Sequence, residues 1–186
     1  MMLISKVQTR NSAKSGDINM KTNNPSSKLV KEFLRESNYI ERVYDDVALE
    51  DAYKAWRYLI KKEELTLILI LKTHGILMKR LWPEIAGRMR VEDVRVGSRI
   101  CPSWQLVYGL LSEWVKKYGK ANTEEDILNA HIEFERRHPF RDGNGRLGRM
   151  VMLWQFVKAG LPVKIIKADW PDQDGDQAKY YRLFSD

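Results

Sequence analysis

Residues 136–151 read RRHPFRDGNGRLGRMV, and no other stretch limits the fold as tightly. Before it, Thr123 reads as an N-cap for a helical pattern running through Ile127, His131 and Phe134 toward Arg137. After it, a long helix begins near Asn144 and stops at Gly160-Leu161-Pro162. Pro139 and Gly143 break the helical path between the two. The chain is thereby committed to helix, short loop and helix, with Gly143, Asn144, Gly145 and Arg146 at the start of the second helix.

A stable core needs none of the histidine, aspartate, asparagine and arginines packed between His138 and Arg149. An anion site does. At a helix N-terminus the backbone N–H groups are free and the helix dipole adds positive potential. Glycines there let a phosphate approach the backbone. Arg146 and Arg149 are three apart, share a helix face, and can reach one polyphosphate. Asp142 makes sense beside phosphates if it holds Mg2+. His138, at the preceding helix end, offers a neutral base near pH 7. Together these parts describe phosphoryl or nucleotidyl transfer.

Duller readings fit less well. GNGRLG has the form G-x-G-x-x-G, but a dinucleotide-binding loop requires a hydrophobic strand before it, and HIEFERRHPFRD is polar and helical. A kinase glycine loop fails for lack of surrounding strands. DQDGD, with Asp172, Asp174 and Asp176, lacks the closing Glu of a calcium loop and reads as a polar turn. His74 and His131 fall in helical patterns and read as structural histidines.

The rest of the chain supports one helical domain over 27–186. Ser27 is the expected N-cap of a helix with Leu29, Val30, Phe33, Leu34, Ser37, Ile40 and Glu41 on one face. Residues 47–62 form a second amphipathic pattern, and 63–81 a central buried helix closed by Trp82-Pro83. RMRVEDVRVG, residues 88–97, reads as a short hairpin turning at Glu92-Asp93. Pro102 and Ser103 open a helix ending at Gly119, and residues 180–184 add a terminal turn or two. Trp56, Trp114 and Trp154 sit within helical patterns as core residues.

The net charge of +7 invites a nucleic-acid partner. Residues 1–31 carry Lys6, Arg10, Lys14, Lys21, Lys28 and Lys31 against Asp17 alone, so most of the excess belongs to the tail. Residues 1–26 lack periodicity and read as a disordered or loosely ordered solvated tail, with Met20 as an alternative start. The longest apolar run, Leu67 to Leu71, is far short of a membrane span, and the start is too polar for a secretory signal. With Cys101 as the only cysteine, a reducing cytoplasm is the expected compartment.

His138-Pro-Phe140-Arg-Asp142-Gly143-Asn144-Gly145-Arg146-Leu-Gly-Arg149 resembles the Fic family signature, H-x-F-x-[D/E]-G-N-G-R-x-x-R, at every defined position. The resemblance spans roughly residues 30 to 184. It implies an all-α bundle with a β-hairpin flap near the active site, and AMP transfer from ATP to a Ser, Thr or Tyr hydroxyl of a target protein. By this resemblance His138 is the base, Phe140 the buried loop anchor and Asp142 the Mg2+ ligand. Gly143, Asn144, Gly145 and Arg146 form the phosphate cradle, and Arg149 meets the γ-phosphate. Residues 88–100 resemble the flap, so Arg90, Val91, Glu92, Asp93, Val94, Arg95 and Val96 are expected to face the target and clamp it by strand addition.

Upstream, Ser37-Asn-Tyr-Ile-Glu41 resembles the family's inhibitory motif, [S/T]-x-x-x-E-[G/N], on a helix of about residues 28–42. A carboxylate there can pair with Arg149 and keep it from ATP. Arg42 departs from the usual Gly or Asn. A kinase branch of the family has Lys where this chain has Gly145, which favours AMP over phosphate as the transferred group. The resemblance is also compatible with AMP removal, self-modification and a homodimer. A basic binding module with a vestigial site is the alternative of a different class.

Overall fold

The computed structural model describes residues 25–184 and the backbone of 18–19 and 24. Of the tail expected over 1–26, residues 1–17 and 20–23, Met20 among them, fall outside the described residues; the described part is the antiparallel pairing of β1 (Ile18–Asn19) with β2 (Asn24–Pro25), followed by Ser26. The remainder is mostly helical, with one further two-stranded sheet. Its helices are α1 (Ser27–Ile40), α2 (Asp46–Leu59), α3 (Leu67–Met78), α4 (Val107–Tyr118), α5 (Glu124–Arg137), α6 (Asn144–Lys158) and α7 (Asp176–Arg182). Among the described residues no helix is long and apolar enough to cross a membrane.

Side-chain caps set most of the starts. Thr123 accepts from the N–H of Asp126 at 3.1 Å, Thr66 from Leu69 at 3.1 Å and Asp45 from Val47 at 2.6 Å. The first helix is capped by Ser26 rather than Ser27, because Ser26 Oγ is the oxygen three residues before a free N–H, that of Leu29 at 3.2 Å. Helix α3 ends at Met78, ahead of Trp82-Pro83. A proline constrains only the residue before it, so the chain unwinds earlier, through a turn in which Trp82 N–H reaches Met78 O. Helix α7 starts earlier than expected, at Asp176. Its cap is distant: Asp169 accepts from Asp176 N–H at 2.7 Å and Gln177 N–H at 3.0 Å.

The hairpin turns elsewhere than expected. Strand β3 (Arg95–Val96) pairs with β4 (Arg99–Ile100), so the turn is Gly97-Ser98 and not Glu92-Asp93. A two-residue hairpin turn requires positive φ, and Gly97 supplies 60° without a Cβ clash. Glu92 lies in a bend before the strand, and Asp93 accepts from the N–H of Trp104 at 2.9 Å. One 3-10 turn, Trp104–Leu106, then leads into α4.

Helix α6 is the hub. It packs against α5, α1 and α3, and nearly its whole length is buried, from Asn144 to Val157. Trp56, Trp114 and Trp154 are all buried; the latter two donate their indole N–H to the carbonyls of Ala130 and Lys62. The polar start of α6 is thus carried inside a hydrophobic bundle.

Candidate active site

Helix α5 ends at His138, whose φ of 45° and ψ of 62° place it in the left-handed region. Few residues with a Cβ adopt that conformation, and here it turns the chain away from the helix axis toward Pro139. Phe140 then anchors the loop. It is fully buried, with its ring stacked on His74 at a centroid distance of 3.8 Å. Asn144 closes the loop behind it: its Oδ1 accepts from Phe140 N–H at 2.9 Å, and its Nδ2 donates to Phe140 O at 2.8 Å. The Asn144 side chain is therefore engaged with backbone, which leaves only its main-chain N–H for a ligand.

His74 braces the loop from α3. Its Nδ1 accepts the N–H of Gly87 at 2.9 Å, so the ring proton lies on Nε2 and is donated to Asp142 O at 3.0 Å. Burial pushes its pKa down to about 4, consistent with a neutral ring. Gly143 follows with φ 77°; a Cβ there would also press within 2.8 Å of Met78 Sδ. A side chain at this position is strained by its conformation and crowded by Met78.

The two arginines of α6 have different surroundings. Arg146 is buried, yet its contacts are weak: Nη2 approaches Met78 Sδ at 3.2 Å and Asp142 Oδ2 at 3.4 Å. Its Nε and Nη1 have no partner among the described residues. Asp142 itself is half-exposed and accepts from the N–H of Gly143 at 2.5 Å. Arg149 is the most buried charge on α6 and makes four hydrogen bonds. Nε donates to Ser37 Oγ at 2.9 Å, Nη1 to Tyr180 OH at 3.0 Å, and Nη2 to Ser37 O at 2.8 Å and Glu41 Oε1 at 2.7 Å. Burial works against its charge, but Tyr180 and Glu41 outweigh burial and hold its pKa above the ordinary value.

Glu41 also lies over the start of α6. A Cβ added to Gly145 would collide with Glu41 Oε1. The carboxylate thus sits where the N-terminal amides of α6 would receive an anion. It is delivered by the end of α1, which terminates in a full Schellman motif: Arg42 N–H bonds Tyr39 O at 2.9 Å and Val43 N–H bonds Asn38 O at 3.0 Å. Arg42 occupies the left-handed position with φ 57°. That is the conformation glycine or asparagine adopts most easily, so the departure at this position leaves the geometry intact.

His138 faces the same region. Burial pushes its pKa down to about 4 against the pull of the Glu135 backbone, the charges of Arg99 and Arg90 act with burial, and its Nδ1 makes no well-formed hydrogen bond among the described residues. The ring is neutral at pH 7. Of the hairpin segment, Val91, Glu92, Asp93, Arg95 and Val96 are exposed and Val94 is half-buried. Glu92 pairs with Arg141 at 2.9 Å. Arg90, expected at the surface with them, is instead buried beneath, donating to the carbonyls of His138 and Glu92 at 2.8 Å and Pro102 at 2.5 Å.

Three residues near the site were not singled out from sequence. Tyr180 bridges Arg149 and His131, Glu135 carries a buried Oε1 without a partner among the described residues, and Met78 lies against Arg146. Burial pushes the Glu135 carboxyl up to about 7 against the pull of Arg149. Separation along the chain hides Tyr180 and Met78; Glu135, three residues before His138, was passed over because a glutamate on a polar helix reads as solvated, and only the fold buries it.

Comparison with known proteins agrees with this architecture. Residues 64–156 match the profile of the Fic/DOC family. The chain is 32% identical over 134 residues to a protein adenylyltransferase Fic of Drosophila erecta, covering 67% of this chain and 25% of that protein. A protein of the same name from Culex quinquefasciatus is 32% identical over 130 residues, covering 65% and 24%. The chain thus spans about a quarter of the length of these relatives. Among solved structures, Fic-1 from C. elegans superposes with a TM-score of 0.67 at 19% identity, covering 84% of this chain and 54% of that one. A Fic domain containing signaling protein from Bacteroides thetaiotaomicron gives 0.69 at 18%, covering 84% and 70%.

Proposed function

The chain belongs to the Fic/DOC family, and from that premise we propose that it transfers AMP from ATP to a hydroxyl side chain of a target protein. The observation that carries this reading is the start of α6. There a buried guanidinium, Arg146, has unpaired donors beside free helix-end amides, a half-exposed Asp142 and a neutral His138. Leaving buried charged donors unpaired costs on the order of 1–3 kcal/mol or more, a cost that a bound polyphosphate would remove.

In this reading the amides at Asn144, Gly145 and Arg146, with the Arg146 side chain, receive phosphate oxygens, and the Gly143 amide joins them once it leaves Asp142 Oδ1. His138 accepts the proton of the target hydroxyl. The hydroxyl oxygen forms a bond to the α-phosphorus, the α–β anhydride bond breaks, and pyrophosphate leaves. Asp142 would hold Mg2+. No group of three or more metal-ligating side chains occurs among the described residues, and one carboxylate suits an ion held largely by phosphates and water. When bound, that ion supplies neutralisation of phosphate charge.

Glu41 is proposed as an inhibitory residue. Its carboxylate pairs with Arg149 and covers Gly145, so ATP with its γ-phosphate in place requires Glu41 to leave. The exposed Val91, Glu92, Asp93, Arg95 and Val96, with Val94 behind them, are proposed to take an extended target segment as an added strand; Arg90 serves as their footing. The test uses the Glu41→Gly protein, a cell lysate, and ATP labelled at the α- or the γ-phosphate. Protein-bound label from the α position supports AMP transfer. Label only from the γ position would reassign the chain to phosphate transfer, and none from either would overturn the reading.

A further inference from the structure

A helix leaves its last carbonyls without intrahelical partners. In α5 the Phe134 carbonyl is taken by His138 N–H at 3.1 Å. The carbonyls that follow are all met by two arginines of the hairpin segment. Arg99 Nη2 donates to Glu135 O at 3.1 Å and Nη1 to Arg136 O at 2.9 Å. Arg90 Nη2 reaches Arg137 O at 3.5 Å, its Nε reaches His138 O at 2.8 Å, and its backbone N–H reaches Pro139 O at 3.1 Å. Arg90 also ties both legs of the hairpin, through Glu92 O and Pro102 O. Arg99 pairs with Val96 across it.

We infer that Arg99 and Arg90 are positioning residues for His138, which join the hairpin and the loop after α5 into a single mechanical unit. The inference rests on the reading of His138 as the base. Two cations at the negative end of α5 satisfy its dipole. Arg99's planar fork spans two successive carbonyls, which a lysine cannot do. Together they hold the chain on both sides of the left-handed turn at His138, so the base has no freedom of its own. A target strand added to β3 pulls on β4, hence on Arg99, hence on the carbonyls that lead into His138. The segment that receives the target and the residue that takes its proton are therefore aligned by the same bonds.

The test is Arg99→Gln and Arg99→Lys in the Glu41→Gly protein; Arg99 is only half-buried, whereas loss of buried Arg90 risks the fold. Misplacing a reacting group by about 1 Å costs on the order of a hundredfold. Arg99→Gln should lower kcat roughly ten- to a hundredfold with KM for ATP within about twofold of the parent, and Arg99→Lys should recover part of the loss. A kcat within twofold of the parent, or a loss carried equally by KM for ATP, overturns the inference. Hydrogen exchange of the amides of residues 138–143, without nucleotide, supplies a readout independent of transfer. It should quicken roughly tenfold in Arg99→Gln while α2 is unchanged. If the Glu41→Gly parent transfers no label at all, the functional reading fails, and exchange alone decides the coupling: an unchanged rate in residues 138–143 overturns it.

Discussion

Arg146 and Arg149 lie one turn apart on α6, and both are buried, yet their surroundings are opposite. Around Arg149 two helices converge. Ser37 and Glu41 from α1 and Tyr180 from α7 take four of its donors. Around Arg146 the nearest acceptors are a thioether and a distant carboxylate, and two nitrogens face no partner among the described residues. One region is complete without a ligand and the other is not. In the proposed function this means that the phosphate cradle stands ready while the arginine meant for the γ-phosphate is engaged elsewhere. The difference teaches that one helix can hold an unsatisfied guanidinium and a fully satisfied one three residues apart.

The strongest way to break this contrast is to remove Arg146. Arg146→Ala in the Glu41→Gly protein should lower AMP transfer by a hundredfold or more, since loss of one donor to developing phosphate charge costs about 10²–10³ in rate. Label incorporation from α-labelled ATP measures it, and a loss under fivefold would place the cradle elsewhere. Next in size is release of Arg149. The charge-assisted bond to Glu41 stabilises the restrained arrangement by about 1.5–3 kcal/mol, so Glu41→Gly should raise transfer roughly ten- to a hundredfold. The same substitution made in an Arg149→Ala protein should give no such rise. If it does, the restraint does not act through Arg149.

Two smaller effects sharpen the comparison. Arg42 holds the left-handed position after α1 at a cost of about 1–2 kcal/mol, and glycine would remove it while losing about 0.5–1 kcal/mol of chain entropy. Arg42→Gly should seat Glu41 slightly better, and basal transfer should fall about twofold. A rise in basal transfer would show that the α1 terminus is not what limits Glu41. The smallest effect concerns pH. His138, depressed to about 4 by burial, stays neutral and able to accept a proton until pH falls near that value. For the Glu41→Gly protein kcat/KM, which reports the free enzyme, should therefore change less than about twofold from pH 7.5 to 5.5. An acid limb near 6.5 that persists in a Glu135→Gln protein would mean that the ring is solvated; one lost with that substitution would belong to Glu135, whose carboxyl burial raises to about 7.

The helices and the contiguous loop were legible because their signals are local. Caps at Thr123 and the breaks at Pro139 and Gly143 act within a turn or two of chain. What was hidden depends on distance in sequence. Asp169 caps α7 from seven and eight residues away, Tyr180 reaches Arg149 across 31, and Arg99 reaches Arg136 across 37. The hairpin was misplaced by weighting valine alternation over the turn, although Gly97-Ser98 carried the conformational signal. Arg90 was placed with the target-facing residues by the resemblance of residues 88–100 to the flap; only the fold reveals the carbonyls it must satisfy.

The overlap between Glu41 and position 145 has a consequence for any change at either place. The carboxylate fills the volume in which a side chain at 145 would begin. The two positions therefore compete for one volume: a side chain at the second residue of α6 meets the seated carboxylate, which must swing aside to admit it. Any substituent at 145 is thus a wedge. It shifts the acid before it contributes chemistry of its own, so a change at one position is read at the other.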